Sequence, residues 1–196
     1  MRDFALDWGE RLLVLLLFLG FAVSNIMSGD WTNYLLVITE SVSLIFILIR
    51  RRAFSVSQSP LDWILAICGT MAPLLTRPGG GALGGYFAAA LIVVGTTLSL
   101  GAKASLNRRF GLAPANRGVQ TGWAYAVVRH PMYLGYIIAQ VGYLMHNPTG
   151  ANVAIYAVGW SLQVFRVCRE EQHLSQDRAY RAYAAQVRFR LVPGLF

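Results

Sequence analysis

Residues 129–173 read RHPMYLGYIIAQVGYLMHNPTGANVAIYAVGWSLQVFRVCREEQH, with two polar clusters, Arg129-His130-Pro131-Met132-Tyr133 and Arg169-Glu170-Glu171-Gln172-His173, on either side of an apolar hairpin. Met132 to His146 and Ala151 to Cys168 are expected to form antiparallel helices. At about 1.5 Å per residue they run about 22 Å out and about 27 Å back. Both clusters therefore return to one end of the hairpin, and segments about forty residues apart in sequence become neighbours. This convergence of polar groups predicts a site.

Working outward, the chain has 196 residues, of which 56% are hydrophobic and only 13% charged, against about 25% charged in ordinary soluble domains. That balance predicts an all-α integral membrane helical bundle. Candidate spans are Leu12 to Met27, Trp31 to Ile49, Leu61 to Thr76, Gly84 to Leu106, Met132 to His146 and Ala151 to Cys168. Several fall short of the roughly 20 residues of a perpendicular crossing, so five or six spans are expected. Arg11 before the run Leu12 to Leu19 imitates a signal peptide, but Asn25-Ile26-Met27 offers no small-residue cleavage site. Short connections between spans predict one membrane domain over 1–196, with spans one to three in 1–83.

With the N-terminus inside and six crossings, the inside segments carry Arg2 and Arg11, then Arg50 to Arg52, then Lys103, Arg108, Arg109, Arg117 and Arg129, and finally Arg166, Arg169, Arg178, Arg181, Arg188 and Arg190. Of the 17 basic residues only Arg77 is left outside, the asymmetry that the positive-inside rule describes. Topology and anionic lipid headgroups account for the net charge of +8. The basic residues are dispersed along helix ends without an aromatic-interleaved module, so membrane lipids are the expected partners and nucleic acid is not. Both termini and the site are expected on the cytoplasmic side, in a bacterial inner membrane.

Several features inside the spans bear on packing or chemistry. Arg77-Pro78-Gly79-Gly80-Gly81 reads as a turn, since it lacks the Gly-Lys-Ser/Thr ending of a phosphate loop and follows no strand. Gly95, Thr97, Ser99 and Gly101 predict close helix contact along span four. Glu40 lies near the centre of span two, where an ionised carboxylate is costly. It reads either as a neutral acid bonded to Thr39, Ser41, Ser43 or a neighbouring helix, or as a wall of a polar substrate route. Cys68 and Cys168 read as buried thiols acting as small hydrophobes, with no disulfide or metal spacing. The polar segment Asn107 to Thr121 is long for a connection here, and reads as a solvated linker or as site lining. Beyond Glu171, the residues Tyr180, Tyr183, Val187 and Leu191 recur at helical spacing, predicting a C-terminal interfacial helix that is stopped by Pro193 and covers the site.

In the first cluster, Pro131 disfavours helix at His130 and serves well as the first residue of a helix itself. His130 is thus expected at a break, where helix-start N–H groups beside Arg129 would receive an anionic group such as a carboxylate. Glu170 and Glu171 are adjacent on a helix and cannot face the same way. One is expected to point into the bundle and the other to pair with Arg166, Arg169 or a headgroup. A buried carboxylate next to His130 suits a cationic centre, ribose hydroxyls or an amine. His130, His146 and His173 are widely spaced and no HExxH motif occurs, so no metal is expected. No nucleophile elbow is present either.

Arg129-His130-Pro131-Met132-Tyr133-Leu134-Gly135, then Arg169-Glu170-Glu171, Tyr180-x-x-Tyr183 and Val192-Pro193, together resemble the isoprenylcysteine carboxyl methyltransferase family and its relatives among phospholipid N-methyltransferases. The likeness runs from about Leu98 to Pro193 and includes Leu100-Gly101 and the Pro114 to Gly122 loop. Where the family has Gly-Pro-Tyr, this chain has Gly122-Trp123-Ala124-Tyr125. The resemblance implies a methyltransferase-like core in 84–196, with S-adenosylmethionine as methyl donor in a pocket roofed by the C-terminal helices and open laterally to lipid. By that likeness Arg129, His130, Tyr133, Glu170, Tyr180 and Tyr183 would bind the cofactor, and Arg169, Glu170 and Glu171 would serve the reaction. The acceptor would be a lipid-like amphiphile, either a prenylcysteine-like or other hydrophobic acid methylated on oxygen, or an amine methylated on nitrogen. The competing reading is a noncatalytic membrane binding or small transport protein, with Glu40 and the hairpin forming a route.

Overall fold

The computed structural model describes residues 2–27, 31–49, 55–81, 83–111 and 114–196. Among them are seven α-helices: α1 (Arg2–Ile26), α2 (Trp31–Ile49), α3 (Pro60–Met71), α4 (Gly85–Leu106), α5 (Pro131–His146), α6 (Gly150–Leu174) and α7 (Arg178–Gln186). The only strands among the described residues, β1 (Ser55–Val56) and β2 (Ala115–Asn116), pair antiparallel. Each candidate span falls on a helix because an uninterrupted apolar run has no other way to satisfy its backbone away from water. By length and composition one helix among the described residues, Gly85–Leu106, is apolar enough to cross a membrane, and Pro60–Leu75 is a shorter apolar run. The 16 residues of α5 are too few for that criterion, and α6 carries Asn152, Gln163 and Arg166 within its apolar run.

The most extensive helix pairing is α4 with α5, and small residues make it possible. A Cβ added at Gly95 would lie 2.3 Å from the Ala139 nitrogen, and one at Gly135 would lie 2.6 Å from that of Ser99. The two backbones thus touch directly, as the small residues of span four predict. Around this pair, α2 packs on α4, α1 on α2, and α3 on α6. At one end the Asn152 amide bridges Arg77 and Asn147, and Asn147 in turn accepts from the N–H of Gly79, which fixes the glycine-rich turn. At the other end Ile47, Phe110, Tyr125, Met132, Val167 and Leu191 from six segments form the apolar floor beneath the polar clusters.

Two expectations are corrected. Cys68 and Cys168 are exposed free thiols. Each lies off the helix face whose positions at three-to-four-residue spacing are buried, Leu65, Ala66 and Gly69 on α3 and Gln163, Arg166 and Val167 on α6. The C-terminal helix ends at Gln186, well before Pro193, because Val187 turns extended and the carbonyls of Phe189 and Arg190 bond to a different partner, the chain entering α5.

Candidate active site

The entry to α5 is held by the tail. The N–H groups of Arg129 and His130 donate to the carbonyls of Phe189 and Arg190 at 2.9 and 2.8 Å, and Pro131 has no N–H to offer. These two donors are therefore taken by protein carbonyls, and the break before Pro131 does not offer them to a ligand anion, contrary to the expectation from the sequence.

Glu171 is the hub beside them. Arg129 grips it with both arms of its guanidinium, Nε to Oε1 and Nη2 to Oε2, each at 2.8 Å. His130 Nε2 lies 2.9 Å from Oε1, and the Tyr180 hydroxyl donates to the same oxygen at 2.6 Å. Burial disfavours the charge on Glu171, but the hydrogen bonds from His130 and Tyr180 and the charges of His130 and Arg129 outweigh it and hold the carboxyl down at about 2. Burial, and then the bond to Glu171, push the Tyr180 hydroxyl well above its ordinary value. Arg129 also donates to the carbonyls of Ala184 and Val187, so a single side chain ties α6 to the end of α7.

Glu170 takes the other direction. It accepts a hydrogen bond from the Tyr133 hydroxyl at 3.1 Å and faces an open cleft. Arg129, His130, Tyr133, Glu170, Tyr180 and Tyr183 line this cleft together, with Arg109, Arg117 and Gln120 from the polar segment and Leu106, Met132 and Leu174 as apolar wall. Residues 109–111 and 115–120 of the polar segment therefore line the cleft. Tyr183 donates to the Tyr125 carbonyl at 2.7 Å, and burial pushes its hydroxyl up to about 12. α7 thus sits over the cleft, pinned at Glu171 and Tyr125 and, at its N-terminus, by Asn116 Nδ2 donating to Asp177 at 2.7 Å.

The remaining sequence candidates lie elsewhere. Glu171 stands behind the lining and pairs with Arg129, neither with Arg166 nor with Arg169. Arg169 is directed at α3, where its Nε donates to Asp62 Oδ1 at 2.6 Å. Glu40 belongs to α2, and its side chain lies outside the described residues. Sequence reasoning missed the placement of two buried cations, Lys103 over the Tyr136 ring at 4.7 Å and Arg166 over the Tyr133 ring at 5.2 Å. A lysine and an arginine in otherwise apolar spans were the available signal. Asn116 carried none.

No curated protein matches the chain. The family model for phospholipid methyltransferases matches residues 83–182, which takes in the cleft loop, the α5–α6 hairpin and the first half of α7. The chain belongs to the phospholipid methyltransferase family, within the integral membrane methyltransferase group.

Proposed function

We propose that the protein is an integral membrane S-adenosylmethionine-dependent methyltransferase that acts on the amine head of a lipid-like amphiphile. The observation that carries this reading is Glu170, the one carboxylate among the described residues that line the cleft, where Tyr133 donates a hydrogen bond to it. The donor set fits the cofactor chemically. Glu170 suits an ammonium or ribose hydroxyl, Arg109 and Arg117 suit a carboxylate, and Tyr125, Tyr133, Leu106 and Leu174 offer surfaces for a base. When bound, S-adenosylmethionine supplies an electrophilic methyl carbon on a sulfonium.

Glu170 would hold the acceptor ammonium and take the proton that nitrogen must lose before it attacks. Glu171, held ionised by Arg129 and His130, would act at one remove by fixing those residues and Tyr180. α7 would restrict water, and the rest of the rate would come from alignment of the two reactants. Carboxyl O-methylation is the second reading, and the presence of Arg109 and Arg117 in the lining favours it.

The membrane setting that goes with this reading is five or six crossings, with both termini and the cleft on the cytoplasmic side. Leu12, Leu16, Leu19, Val93, Val94, Val158 and Phe165 are all exposed on the outer faces of α1, α4 and α6, a belt that supports contact with lipid. Transfer of labelled methyl to aminophospholipids and, separately, to prenylated thiol acids tests the acceptor. Label in a base-stable head group is the expected result, and label in a base-labile ester overturns the amine assignment. Label confined to small water-soluble acceptors contradicts lateral entry from the membrane.

A further inference from the structure

The last turns of α6 are pinned on three sides, and one of the pins comes from a part of the chain that precedes the family match. Residues 169, 170 and 171 diverge around the helix. Glu171 is held by Arg129 and His130 at the entry to α5 and by Tyr180 of α7, Glu170 by Tyr133, and Arg169 by Asp62 of α3. Asp62 is only 3% exposed, and it also accepts a hydrogen bond from the Ser57 hydroxyl. Ser57 directly follows β1, whose pairing with β2 it extends by donating its N–H to the Pro114 carbonyl at 2.9 Å. β2 contains Asn116, and Asn116 and Arg117 line the cleft.

One buried carboxylate therefore joins both walls of the cleft. Through Arg169 it holds the helical turn that carries Glu170, and through Ser57 and β1 it holds the loop that carries Asn116 and Arg117. We propose that Asp62 is a positioning residue for methyl transfer, setting the separation of these two walls without touching either reactant. The proposal rests on the methyltransferase reading of the cleft. A buried carboxylate is costly unless its lone pairs are used, and both partners of Asp62 belong to segments that lead into the cleft. The packing of α3 on α6 does not depend on it, since Leu65, Ala66 and Gly69 are buried along the same helix, with Gly69 close to Leu162.

The test uses the full chain in detergent, with Asp62→Asn and, should that variant fail to fold, Arg169→Gln, which breaks the same pair from its more exposed side. Hydrogen exchange is expected to rise in both 114–120 and 169–174, although these stretches are remote in sequence. The kcat for labelled methyl transfer is expected to fall about tenfold, with the donor KM within about twofold. Arg169→Lys, which keeps the charge, is expected to recover most of that kcat. Unchanged exchange at either wall overturns the proposal, as does a loss of activity that merely tracks the folded fraction. Loosened walls with an unchanged kcat also defeat it while leaving the functional reading intact. A wild-type chain that transfers no methyl group defeats that reading, and the proposal with it.

Discussion

Glu170 and Glu171 are identical in type and adjacent in sequence, yet their surroundings separate their roles. Glu171 receives Arg129, His130 and Tyr180, so Glu171→Gln strands a buried guanidinium and imidazole. Removing one partner of such a network is expected to cost about 3–5 kcal/mol, read as a lower thermal midpoint in detergent. Its carboxyl is depressed from an ordinary 4.5 to about 2. Folding therefore favours the ionised form, and the stability gained, on the order of 3 kcal/mol, is complete above about pH 4.5 and lost as the pH falls toward about 2. Denaturant titrations across that range should show the loss in the wild type and little of it in Glu171→Gln. Glu170→Gln should behave oppositely, keeping its unfolding free energy within about 1 kcal/mol of the wild type while methyl transfer falls about 10² to 10⁴-fold, the range for a lost general base. At this scale the sequence was legible only in part. Helical geometry requires the two carboxylates to diverge, but which one meets the cleft depends on Arg129, which lies 42 residues away.

The α4–α5 contact carries the next prediction. At Gly135 an added Cβ meets the Gly95 carbonyl at 2.7 Å as well as the Ser99 nitrogen, so Gly135→Leu must force the helices apart. A cost of at least about 3 kcal/mol is expected, the upper end of the range for overpacking, seen as loss of the folded species on size-exclusion chromatography. Gly20→Ala in α1, where nothing lies within 4 Å of an added Cβ, is the control, and should stabilise by about 0.5–1 kcal/mol. Helices were the most legible part of this protein, since apolar runs such as 31–49 and 84–106 dictate their own backbone hydrogen bonding. Their ends and faces were less so. Cys68 and Cys168 sit in apolar runs, and only the azimuth of the buried face decides that they are exposed. The spacing of Val187 and Leu191 continues that of α7, but the tail instead gives its carbonyls to Arg129 and His130, a tertiary bond that periodicity does not encode.

Over the whole chain the arrangement follows from one return, in which the hairpin brings residues 129–133 and 169–173 to the same end. That return was readable from segment lengths alone. The contributions of α3 and of the 107–121 loop were not, because Asp62 meets Arg169 across 107 residues and Asn116 meets Asp177 across 61, with nothing local to mark either pair. Sidedness is open to direct measurement. Cysteines introduced at Arg77 and Arg190 should label from opposite faces of sealed vesicles, and labelling from one face would reject the proposed topology. The central claim, that this end of the bundle is a methyl-donor site, is tested most directly by calorimetric titration of the purified chain with S-adenosylhomocysteine, the demethylated product. One saturable site is expected, and absence of binding to the folded wild-type chain would contradict the claim.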